Sequence, residues 1–258
     1  MMFSSIVATA SILCSIASPD GVEADITFAD LAPRSSMLVV AVEDMEGMVK
    51  RFEATPLSNL CEIEALKGMF EETIGSMISG MKEDIKDAGL DSDAFMRPSS
   101  LGMCVYVDLD EETGQSRSYV LQYGDWGING EKTAQAIDFV VEQRREAGEI
   151  EVDTRDVRGR EITVITVIAE NDDMLGNFEG MDDMMMFGDP STLFPDLSTM
   201  YLVRDDSRFL IANDMLAIDD ALSALDGEDG DSLKDTEDFQ RMSAMLGDGD
   251  AYGMVRFE

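Results

Sequence analysis

The sequence predicts an α+β fold: a mostly antiparallel sheet built from β-hairpins and covered by amphipathic helices. Two observations predict it. Apolar runs suited to strands come in closely spaced pairs: Met103–Leu109 with Ser118–Tyr123, Ile150–Asp156 with Glu161–Ile168, and Met200–Arg204 with Arg208–Ala212. Between the pairs lie stretches whose apolar residues recur three or four apart, the spacing of a helix with one buried face. The segment Thr199–Glu258 holds the whole pattern, with a hairpin, a short helix, an acidic turn, a second helix and a new strand.

Met37–Val42 is an all-apolar run and reads as a buried strand, entered through Leu31-Ala32-Pro33-Arg34-Ser35-Ser36. A short helix follows from Met45 to Ala54, broken at Thr55-Pro56-Leu57 because proline disfavours helical geometry in the residue before it. Leu60, Ile63, Leu66, Phe70, Ile74, Met77, Ile78, Met81, Ile85 and Ala88 then form the longest helical stripe, stopped at Gly89. The polar link Asp110–Arg117 joins the first hairpin, and Gly124-Asp125-Trp126-Gly127 ends it. Glu131–Ala147 reads as a helix with Ala134, Ile137, Val140 and Val141 inward, and Arg158-Gly159 turns the next hairpin. Residues 170–190 alternate acids, glycines and methionines without periodicity and read as a mobile acidic, Met-rich loop.

After the third hairpin, Asn213 or Asp214 caps a helix with Leu216, Ala217, Ala221, Leu222 and Leu225 inward, ended at Gly227 and Gly230. Ser232 with Asp235 three residues on has the spacing of a capping box for a last helix buried through Phe239, Met242, Met245 and Leu246. Ala251–Phe257 is a further strand with the same kind of lead-in as Met37–Val42. The expected organisation is therefore one α+β domain over 25–247, with 248–258 supplying the first strand of a second repeat in a duplicated fold. That strand would otherwise pair its free edge with something else.

Composition bounds the partners and the compartment. The chain carries 54 Asp and Glu against 19 Lys and Arg, a formal net charge of −35. So much negative charge repels phosphate backbones and anionic lipid, which argues against nucleic acid and against polybasic-type membrane binding. At the N-terminus, Ile6–Ala17 is a short apolar run, too short to anchor in a bilayer. Val22-Glu23-Ala24 places small residues where a signal peptidase needs them, so residues 1–24 read as a signal peptide cleaved before Asp25, although no Lys or Arg precedes the run. No other stretch is apolar enough to span a membrane. Cys14 would leave with the signal peptide, and Cys61 and Cys104 would remain either as one disulfide or as two buried thiols.

The order LAPRSSMLVVAVEDM, then RFEATPLSNL, then SLKDTEDFQRMSAML before a fresh strand resembles a loosely defined group of exported bacterial proteins carrying a repeated domain of unknown function. The shared marks are the Leu31-x-Pro33 entry to a strand, the helix breaker Thr55-Pro56-Leu57, and a helix with Ser232-Leu233 and Phe239. The resemblance implies export and a duplicated α+β fold. It implies no catalytic residues.

The chemistry open to the chain is narrow. It contains no histidine, which excludes Ser-His-Asp and Cys-His nucleophilic sites and ordinary zinc hydrolases. No nucleophile elbow, dinucleotide fingerprint or phosphate-binding loop is present. A carboxylate-pair hydrolase needs two acids at a set separation, and the many acids here single out none. Calcium is the cofactor to test: Asp226, Glu228, Asp229 and Asp231 set hard oxygen ligands close together in one turn, and Asp108, Asp110, Glu111 and Glu112 do so in another. Both turns also read as solvated acids. The run Met181 to Met186, with Met174, offers thioethers for Cu(I), or a sticky partner-binding segment. The expectation is an exported, non-enzymatic binding or structural module of the periplasm or cell envelope, with an unknown envelope or extracellular partner. A calcium-dependent binding domain and a carboxylate-based hydrolase are the alternatives.

Overall fold

Eight strands form one antiparallel sheet in the order β4-β5-β6-β7-β3-β2-β1-β8 in a computed structural model of the chain, which describes residues 26–55, 85–95, 97–109, 116–168, 195–228, 231–246 and 251–256. The strands are β1 (Ser36–Val42), β2 (Ser100–Leu109), β3 (Ser116–Asp125), β4 (Ile150–Val157), β5 (Arg160–Val167), β6 (Thr199–Asp205), β7 (Arg208–Ala212) and β8 (Ala251–Val255). Among the described residues the helices are α1 (Phe28–Leu31), α2 (Met45–Glu53), α3 (Ser92–Phe95), α4 (Gly130–Glu146), α5 (Met215–Leu225) and α6 (Glu237–Leu246). The α+β class therefore holds. Residues 1–24, expected as a signal peptide, Cys61, residues 56–84 of the expected helical stripe, residues 170–190, expected as a Met-rich loop, and Asp229 lie outside the described residues.

Local sequence explains the hairpins. β4 and β5 meet across Arg158 and Gly159, both at positive φ (55° and 76°), which is the mirror-image two-residue turn whose twist suits paired strands. β6 and β7 meet across Asp206, at φ 56°, and Ser207. β2 and β3 run longer than the expected strands, pairing from Ser100 with Asp125 to Leu109 with Ser116. The chain makes β1, β2 and β3 as neighbours and passes through α4 to the far edge. It returns by the meander β4 to β7, so that β7 closes beside β3.

The core lies on one face of this sheet. Tyr252, Ala41, Gly102, Tyr123, Leu210, Val203 and Ile162 stand directly across from one another in successive strands and form one transverse row. With Val39, Cys104, Leu121 and Ala212 in the next row, they pack beneath Phe28 and Leu31 of α1 and Ala217, Ile218, Ala221 and Leu222 of α5. Gly102 leaves the space that the Phe28 ring occupies, since a Cβ there would sit 2.1 Å from it. Phe28 also stacks on Tyr123 with centroids 6.3 Å apart.

Three helical details differ from the sequence reading. Leu216, expected inward on α5, is 69% exposed, because Ile218 takes the inward position instead. In α4 the buried residues are Gly130, Thr133, Ala134 and Ala136 in the first two turns, while Ile137, Val140 and Val141 are half-buried. The last helix starts later than Ser232 predicts. Leu233 is fully buried and its N–H donates to the Ala32 carbonyl at 2.8 Å, which holds Leu233–Asp235 as a separate 3₁₀ turn. Thr236 caps α6, its hydroxyl accepting the Phe239 N–H at 3.2 Å. Of the long helical stripe, residues 85–87 are described as helical, with Ile85 fully buried and Gly89 at φ 76° ending the turn as expected.

Candidate interaction edge

The two edges of the sheet differ in chemistry. β4, at one end, exposes Glu151, Asp153, Arg155 and Asp156, and charge of this kind on an edge strand discourages pairing with another chain. β8, at the other end, reads Ala-Tyr-Gly-Met-Val and carries no charge at all. The strand expected to begin a second repeat thus lies antiparallel on β1 of this sheet, from Leu38 opposite Val255 to Val42 opposite Ala251. Beyond β8 no strand pairs among the described residues.

The direction of the open backbone groups follows from one hydrogen bond. The Arg256 N–H donates to the Met37 carbonyl at 2.7 Å, so Arg256 faces β1. Peptide groups alternate sides along an antiparallel strand, so those of Met254 and Tyr252 also face β1 while those of Ala251, Gly253 and Val255 face outward. Val255 is 56% exposed, and Val40 on the neighbouring strand is 45% exposed on the same side of the sheet.

A half-buried polar cluster fixes β8 to the rest of the molecule. Glu43, just after β1, accepts the Tyr252 hydroxyl and the Phe28 N–H at 3.1 Å each. Burial pushes the Glu43 carboxyl above its ordinary value, an effect that the hydrogen bonds from Tyr252 and Phe28 oppose. Burial and the adjacent Glu43 likewise push the Tyr252 hydroxyl up. Nearby Asp30 accepts Lys234 Nζ at 2.7 Å and the Thr27 hydroxyl at 2.7 Å. Burial works against the charge on Asp30, yet these hydrogen bonds bring its carboxyl below the usual value.

α6 sits over the same end of the sheet. Phe239 meets Tyr252 edge to face with centroids 5.3 Å apart, and Asp238 lies 3.7 Å from Arg256. Among the described side chains of this helix, only Phe239 joins the core cluster; Met242 is half-buried and Met245 is 82% exposed. The expected burial of Met245 is therefore not seen: Phe239, in the first turn of α6, meets Tyr252, while Met245 near its end faces solvent.

Of the residues proposed for calcium at 226–231, Asp226, Glu228 and Asp231 are described, and their side chains meet different cations. Asp226 takes a two-pronged contact from Arg160, at 2.9 and 3.2 Å, and Glu228 accepts Arg158 at 2.9 Å and the Ser223 hydroxyl. Arg160 also contacts Asp205, and Arg158 also contacts Asp219, so two guanidinium groups tie the β4–β5 turn to the C-terminal end of α5. The hydrogen bond from Arg160 holds the Asp226 carboxyl below its ordinary value; Ser223 and then Arg158 do the same for Glu228. Asp231 points elsewhere, to Arg34 at 3.3 Å. Among the described residues no three acids or thiols converge as a metal site. Asp108 of the second acidic turn is exposed, and residues 110–112 lie outside the described residues.

Cys104 is a free, fully buried thiol on β2, and burial pushes its pKa up to about 12. The Glu43–Tyr252 pair is the feature sequence reasoning missed. Its two residues are 209 positions apart, and the one local signal was a glutamate directly following an apolar strand. No described helix is long and apolar enough to cross a membrane. Comparison of the chain with protein-family models, with curated proteins and with solved structures finds no match.

Proposed function

We propose that this protein is an exported, non-enzymatic binding or structural module of the periplasm or cell envelope, and that β8 is its working edge. The observation that carries the reading is the contrast between the edges: β4 is guarded by four exposed charged residues, while β8 is uncharged in a chain of 54 acids and 19 bases. An edge with outward N–H and C=O groups binds by adding a strand, which supplies main-chain hydrogen bonds without any catalytic group. Export is supported by the apolar run Ile6–Ala17 and the small residues Val22 and Ala24 before Asp25.

The test is a photo-reactive amino acid placed at Val255, and separately at Asp153 on the β4 edge, in the full chain expressed in its source cells. Adducts from position 255 but not from 153, on a mature chain beginning at Asp25 in an envelope fraction, are the expected result. A cytosolic chain retaining residues 1–24 overturns export. Absence of adducts from position 255 overturns the edge.

A further inference from the structure

We infer that the occupant of this edge is a second copy of the same chain, β8 pairing with β8 antiparallel about Gly253. The inference rests on reading β8 as the working edge and deepens it by naming the partner. The first argument is register. In an antiparallel ladder, directly opposed residues with inward-facing peptide groups exchange both hydrogen bonds. A two-fold axis at Gly253 opposes Gly253 to Gly253 of the other copy and Ala251 to Val255. These are the three residues whose peptide groups face away from β1. The same axis opposes Tyr252 to Met254, both on the core face of the sheet, so that face continues across the pair. An edge that matches itself in this way gives a closed two-fold dimer and no open fibre.

The second argument is side-chain chemistry at the same boundary. No charged residue lies within Ala251–Val255, so no like charges oppose each other in the strand pair. Beside the strand, Arg256 is paired with Asp238 of α6 at 3.7 Å. The uncharged strand thus lies on a chain of 54 acids and 19 bases whose net charge otherwise repels its own copies. α6 sits on the core face over β8, with Met242 half-buried and Met245 exposed, and the two-fold axis brings the partner copy's α6 to that side.

Charge sets how the association responds to salt. Two chains of −35 repel at low ionic strength, and screening shortens that repulsion to within about 10 Å at 0.1 M salt. The dimer therefore strengthens as salt is added.

The experiment is light scattering coupled to size exclusion on the purified full chain, across protein concentration and salt, for the wild type, Gly253→Pro and Val255→Glu. Proline at 253 removes an outward N–H and leaves the inward ladder to β1, and an added Cβ there meets only the Val39 carbonyl at 3.8 Å. Glu at the exposed position 255 adds charge to the edge. The expected result is a wild-type dimer favoured by salt, with each variant weakening it by about tenfold or more because symmetry counts each change twice. Unchanged thermal melts of the variants under monomeric conditions show that the fold is retained. A wild-type chain that stays monomeric at every salt and concentration overturns the inference, as does a dimer indifferent to both substitutions. If adducts at position 255 contain a different protein while the chain stays monomeric, the second-copy inference falls and the edge reading stands.

Discussion

Glu43 shows how one side chain couples distant parts of the chain. It accepts from the backbone of α1 and from the Tyr252 hydroxyl on β8, and it is held half-buried between them. Burial raises its pKa, so the folded state binds the Glu43 proton more tightly than the unfolded state does. The sign of the linkage follows: this residue's contribution to stability is fully present below its ordinary value of 4.5 and is lost as pH rises through the raised folded value. Glu43→Gln keeps an acceptor and removes the titration. The melting temperature of the wild type is therefore expected to gain on that of Glu43→Gln as pH is lowered from 7 towards 4.5, whatever the difference at pH 7. A gap that stays constant over that range means that the carboxyl does not titrate differently on folding. Gly102 is a second residue fixed by a single neighbour, because its missing side chain is the seat of the Phe28 ring. Gly102→Ala is expected to destabilise by about 3 kcal/mol in urea denaturation, since either α1 or the β2 backbone must move.

At the scale of elements, the parts legible in the sequence are those whose causes lie within a few residues. Asp214 was a visible cap and is one: its carboxylate accepts the Leu216 N–H at 2.8 Å, and Asp214→Ala is expected to cost about 1 kcal/mol in the same urea assay. Arg158-Gly159 read as a turn because a short polar link with glycine separated two apolar runs, and the positive φ values there follow from that link. Asn213 was an equally good cap by its type, yet its side chain accepts the Val120 N–H at 2.8 Å and donates to the Ser118 carbonyl at 3.2 Å. Nothing local distinguishes it from Asp214; β3 does. The start of α6 was misplaced for the same reason, because the burial of Leu233 beneath Ala32, two hundred residues away in sequence, decides which hydroxyl caps the helix. For Asp226, Glu228 and Asp231, spacing along the chain is visible in the sequence and direction is not. Arg160 and Arg158 draw Asp226 and Glu228 to one side while Arg34 draws Asp231 to another.

At the scale of the molecule, sheet order and net charge act together. Local pairing made three hairpins readable, but the joins β3–β7 and β1–β8 bring together residues far apart in sequence, which no periodicity marks. Those joins hold one sheet against the mutual repulsion of a surface with 54 acids and 19 bases. Ion pairs offset part of this repulsion: the Arg158 and Arg160 groups bridge β4–β5 to α5, and Lys234 bridges the 3₁₀ turn to α1. Most of these groups are at least partly exposed, so each pair contributes little and salt weakens it. The remaining acids repel at longer range, and with a net charge of −35 the summed repulsion outweighs the few pairs. Adding a non-binding salt such as sodium chloride is therefore expected to raise the melting temperature, most steeply below about 0.1 M, where the screening length exceeds about 10 Å. The measurement belongs on the Val255→Glu variant, so that any gain from salt-driven pairing of copies is removed. If its melting temperature falls as salt is added, the ion pairs dominate, and the guanidinium bridges contribute more to this fold than its net charge opposes.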